Sequence, residues 1–65
     1  MNEIKFKQVL LDRGISQTSF ADKLGITYQA LWRKLSSDSW SLEDIRETKK
    51  ILSLTDDETR EIFNL

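Results

Sequence analysis

Neither cysteine nor histidine occurs in the 65 residues. That removes the thiolate nucleophile, the commonest metal ligand and the commonest general base together. Serines are plentiful, but no imidazole is present to activate one. Asp56 and Asp57 are adjacent carboxylates, and they read as acids favoured by a helix N-terminus before they read as an acid–base pair. No enzyme activity, metal or cofactor is expected. The chemistry on offer is recognition, and it sits in one short run. Arg33 can bond guanine O6 and N7 in a bidentate fashion, and Gln29 can do the same with adenine N6 and N7. Tyr28 can donate to a base or phosphate, or stack on a sugar. Trp32 has two readings. Its apolar face can meet a thymine methyl or deoxyribose, or it packs against Tyr28 or Trp40 or under the following loop.

These residues need a helix that turns them outward. With about 100° per residue and Tyr28 at zero, Trp32 falls near 40°, Gln29 near 100° and Arg33 near 140°. Leu35 falls near 340° and Leu31 near 300° on the same wheel. Leu31 and Leu35 therefore face a core, and the other four face away from it.

A second short helix precedes this one. Ser16 is a good N-cap, and Phe20, Ala21 and Leu24 form an apolar stripe. Gly25 stands where a helix end favours positive φ, apolar Ile26 lies in the turn, and Thr27 caps the next helix. The small Ala21 lets two backbones cross closely, and a buried Ile26 is expected to pin the bend. The spacing of Gln17, Ala21, Gly25, Ile26 and Leu31 describes a helix-turn-helix, whose second helix, about residues 27–35, fits a DNA major groove. A plain αα-hairpin is the competing reading.

The segment resembles the helix-turn-helix of the lambdoid phage repressor and Cro proteins and the wider XRE-type regulators. In that family a Gln opens the first helix, Ala follows four positions on and Gly four positions after that. Apolar residues follow the Gly and recur in the second turn of the recognition helix. Gln17, Ala21, Gly25, Ile26 and Leu31 hold those places here. The resemblance implies that Tyr28, Gln29 and Arg33 read bases and that Gln17 bonds a phosphate. It also implies a transcription regulator in a bacterial cytosol. Thr27, Ser36 and Ser37 are further candidate phosphate contacts. One departure is Lys34, where many members carry an apolar residue; Leu35 takes the core role and Lys34 is expected to reach solvent. Another is the loop expected over 36–40, which has Asp38 and no basic residue.

The remaining chain predicts an all-α bundle of five short helices forming a single domain over 1–65. The first helix covers residues 2 to about 13, with Phe6, Val9, Leu10, Ile4 and Leu11 as core and Gly14 as its stop. Trp40 is expected in the core. The fourth helix starts with Ser41 as cap and Asp44 three residues on, with Leu42, Ile45, Thr48 or Lys49, and Leu52 on its inner stripe, and ends at Leu54 and Thr55. The fifth has Thr55 and Glu58 as its capping box, with Ile62 and Phe63 inside. No apolar run is long enough for a bilayer and no signal peptide is read, which makes a cytoplasmic location the default.

The net charge is −1. Residues 1–35 carry six basic and three acidic side chains, a balance of +3, while 36–65 carry four and eight, a balance of −4. A basic reading face thus sits on an acidic body. One short helix touches few base pairs, so a weak or DNA-induced dimer on a pseudo-palindromic double-stranded operator is expected. The alternative function is a small helical protein-interaction module, an acidic adaptor or antitoxin-like binder, with Tyr28 and Trp32 as its apolar patch.

Overall fold

A computed structural model describes all residues, 1–65. It is all-α, with five helices: α1 Glu3–Arg13, α2 Gln17–Leu24, α3 Tyr28–Ser37, α4 Leu42–Leu52 and α5 Asp56–Phe63. The body measures 27 × 24 × 20 Å.

Every helix starts on a polar side chain that accepts from one of its own orphan amides. Asn2, Ser16, Thr27, Ser41 and Thr55 are the five caps. Ser41 with Asp44, and Thr55 with Glu58, close reciprocal capping boxes. Each helix also ends on a left-handed residue, which lets amides of the turn fold back onto the last carbonyls. At Gly25, φ is 80° and the turn amides bond Ala21 and Asp22. The ends of α3, α4 and α5 use Asp38, Ser53 and Asn64 at φ 53°, 51° and 58°. Asp and Asn tolerate that region better than a serine does.

The core is built around Phe6. Its ring meets Phe20 edge-on at 5.2 Å and Trp40 at 5.9 Å, and Trp40 meets Phe63 at 5.4 Å. Val9, Leu10, Ala21, Leu31, Leu52, Leu54 and Ile62 complete the buried cluster. Trp40 is half-buried, and its indole Nε1 is buried with no hydrogen-bond partner.

Three residues expected inside are outside. Ile4 is 74% exposed, Leu11 80% and Leu42 64%. On α1 the inner stripe is filled by Phe6, Val9 and Leu10, which leaves Ile4 and Leu11 on the outer arc of the helix. Leu42 is the first residue of α4; Trp40 before it and Ile45 after it are the side chains that reach the core. Ile26 packs on the core but is only half-buried. Three boundaries also move, the first of them at α1, which starts at Glu3 with Asn2 as its cap. α4 stops at Leu52, because Ser53 turns left-handed and Leu54 drops into the core. α3 runs on to Ser37, so the loop begins at Asp38.

Arg13 ties three helix ends together. Its Nε donates to the Leu52 carbonyl at 3.0 Å, and its Nη2 donates to both carboxylate oxygens of Glu58 at 3.0 and 3.2 Å. An orphan carbonyl at the end of α4 and an acid at the start of α5 are satisfied by one side chain from the end of α1.

Candidate nucleic-acid interface

α3 follows α2 after three residues, Gly25 to Thr27, and the two helices pack together, with Ala21 of α2 and Leu31 of α3 both buried in the core. Burying Leu31 completely sets the rotation of α3. The opposite arc then carries Tyr28, Gln29, Trp32 and Arg33, all exposed, as the helical wheel predicts. The four line one shallow depression of about 320 Å³ on the outer face of α3.

Trp32 is 61% exposed and Tyr28 46%. The ring contacts of the core join Phe6, Phe20, Trp40 and Phe63, with Trp32 outside them. Packing of Trp32 on Trp40, one form of its packing reading, is therefore not what the fold provides; Tyr28 lines the same depression as Trp32.

The electrostatics leave Arg33 among a small set of unpaired cations. Of the ten Lys and Arg residues, seven hold a carboxylate within 4.0 Å: Lys5, Lys7, Arg13, Lys34, Lys49, Lys50 and Arg60. Lys23, Arg33 and Arg46 are the three left without one. For Arg33 the cause is local, because positions 29, 30, 36 and 37 carry no acid to form an i±3 or i±4 pair. The same test picks out Lys23, a free cation that a reading centred on α3 passes over.

Lys34 does not simply reach into solvent. Its Nζ bonds Asp44 Oδ2 at 2.6 Å and lies 5.9 Å from the centre of the Trp40 ring. Burial pushes the Asp44 carboxyl up, but hydrogen bonds from Lys34 and Ser41 outweigh it and hold the group below its usual range. The ion pair joins α3 to the first turn of α4.

The phosphate candidates divide. Thr27 Oγ1 accepts from the Ala30 amide at 3.1 Å, which leaves the hydroxyl hydrogen free to donate outward. Gln17, the first residue of α2, is half-buried and lines a separate depression with Leu10, Leu11 and Ile15, near the amides of its helix start. Ser36 and Ser37 lie in the last turn of α3 rather than in a loop, because the helix continues until Asp38 turns left-handed. Ser36 is exposed. Ser37 already donates to the Arg33 carbonyl at 2.6 Å and shares a bond with Ser39 Oγ at 2.9 Å. Its hydroxyl hydrogen is taken, and a phosphate contact requires that bond to open. Asp38 holds the Met1 ammonium at 2.6 Å, which offsets part of its negative charge at this end of α3.

Comparison with protein-family models, curated proteins and solved structures finds no match to the chain. No helix is long and apolar enough to cross a membrane.

Proposed function

We propose that the chain is a sequence-specific double-stranded-DNA-binding regulator of the repressor or Cro type. On this reading α2 and α3 form a helix-turn-helix, and α3 enters the major groove. One observation carries it: the outer face of α3 groups an unpaired Arg33 with Gln29, Tyr28 and Trp32, in a chain whose other cations are mostly neutralised. Arg and Gln at an exposed i, i+4 spacing are the side chains that pair bidentately with guanine and adenine edges. Gln17 and Thr27, at the starts of α2 and α3, supply phosphate contacts that set the register. Each correct bidentate pair contributes roughly 1–3 kcal/mol of discrimination. One α3 therefore gives little specificity alone, and two copies on half-sites about one helical turn apart give enough. Since the body is acidic, pairing forms on DNA.

Binding to random duplex DNA as salt rises is the test. A protein that neutralises several phosphates loses affinity steeply with ionic strength. A flat salt response, or no affinity at low salt, rejects DNA binding. It would instead favour a protein partner for the Tyr28–Trp32 patch.

A further inference from the structure

Two rows of different chemistry run side by side on α3. Tyr28 and Trp32 form an aromatic row, and Gln29 and Arg33 form a polar one. Each row spans about 6 Å along the axis, close to two base-pair steps of about 3.4 Å. All four side chains line the same open depression. Within it a largely exposed indole neighbours a guanidinium that no carboxylate occupies. The guanidinium fork matches guanine O6 and N7. An apolar ring beside that fork needs an apolar group in the groove, and thymine is the base that presents one there, its C5-methyl. 5-Methylcytosine carries the same methyl at the same ring position.

We propose that this face reads a pyrimidine C5-methyl group followed by guanine, with Arg33 on the guanine and Trp32, flanked by Tyr28, on the methyl. The proposal rests on the DNA reading of α3 and names its target step. Thymine–guanine and 5-methylcytosine–guanine steps are then bound alike, and their unmethylated counterparts, uracil–guanine and cytosine–guanine, less well. The protein thereby responds to methylation of a cytosine–guanine step.

Duplexes enriched from a random pool by the full chain provide the probe. Enriched sites are expected to contain a thymine–guanine step. One such duplex is then remade with that thymine exchanged for uracil, cytosine or 5-methylcytosine. Uracil weakens binding about fourfold, the factor given by burial of one methyl-sized group, and 5-methylcytosine binds about fourfold tighter than cytosine. Trp32→Ala abolishes both differences, and Arg33→Ala abolishes the preference for guanine. Both side chains are exposed, and an unchanged circular dichroism spectrum confirms the fold of each variant. Enriched sites without a thymine–guanine step, or equal affinity for thymine and uracil duplexes, overturn the proposal while DNA binding stands. No enrichment and no salt-dependent binding overturn DNA binding itself.

Discussion

Arg33 and Lys34 are neighbours in sequence with opposite circumstances. Arg33 points outward with no acidic partner, whereas Lys34 is committed to Asp44 beside the Trp40 ring. Equal formal charge therefore implies different consequences when each is removed. Arg33→Ala is expected to relax specificity at one base pair by about 1–3 kcal/mol and to leave the denaturation midpoint unchanged. Lys34→Ala is expected to cost about 1 kcal/mol of stability with little change in which sequences are bound. Gln17→Ala should weaken binding to all duplexes alike, as a phosphate contact does. Competition assays with single-base variants, alongside urea melts, separate the three. A uniform loss of affinity from Arg33→Ala would remove its base-reading role. On this scale the wheel of α3 was legible from the sequence, because Leu31 and Leu35 fix which side faces in. The partner of Lys34 was not, because Asp44 lies ten positions away and is brought near by the packing of α3 and α4.

At the scale of the element, the helices are bounded by strong local signals. All five caps are polar side chains bonding amides within three residues, and Ser16, Thr27, Ser41 and Thr55 follow from sequence alone, whereas Asn2 is expected inside α1 and instead caps it. The C-termini are less uniform, and they suggest a comparison. Gly25 has φ 80°, and a Cβ there would meet no atom within 4 Å, so its cost comes from the backbone alone. Gly25→Ala is expected to lose about 1 kcal/mol. Ser53 adopts φ 51° without the advantage of glycine, and Ser53→Gly should stabilise the fold by about 0.5–1 kcal/mol. Chemical denaturation of the two variants measures both. A stabilising Gly25→Ala would contradict the left-handed turn. The apolar residues on the outer arc of α1 and at the start of α4 stay exposed for a reason that local pattern does not carry. Hydrophobicity marks Ile4, Leu11 and Leu42 for burial, but each helix has a limited contact face, and Phe6, Val9, Leu10 and Ile45 fill it.

For the whole molecule, the balance of charge is also a matter of stability. Asp44 ionises below its usual range because hydrogen bonds from Lys34 and Ser41 outweigh burial. Glu58 does so first through the Thr55 amide and then through Arg13, and Asp56 through Lys49. A depressed carboxyl binds fewer protons in the folded state than in the unfolded one. Its contribution is complete above the unfolded value of about 4 and is lost as pH falls through the folded value. Urea midpoints should therefore hold between pH 7 and 5 and fall steeply below pH 4. Asp44→Asn should flatten part of that fall, and an unchanged profile would mean that the α3–α4 ion pair contributes nothing. With only 65 residues, the domain has little stability in reserve, so the loss should be visible as unfolding. The pairing of seven cations also concentrates free positive charge on Lys23, Arg33 and Arg46, a distribution that the total of −1 conceals.

The sequence alone determined the number of helices, four of their five caps, the turn at Gly25 and the outward arc of α3. These are decided by interactions within three or four residues, where spacing and geometry correspond directly. Only the tertiary structure decided which cations remain free and which apolar residues stay wet. It also carried α3 through Ser36 to Ser37, set Trp40 between Phe6 and Phe63, and placed Arg13 across the ends of α4 and α5. Those outcomes depend on side chains distant in the chain, such as Arg13 with Glu58, and no local pattern encodes their meeting. The outer face of α3 belongs to both levels: its residues and the absence of an acid one turn from Arg33 are a local pattern, and the commitment of its neighbour Lys34 to Asp44 is a result of packing.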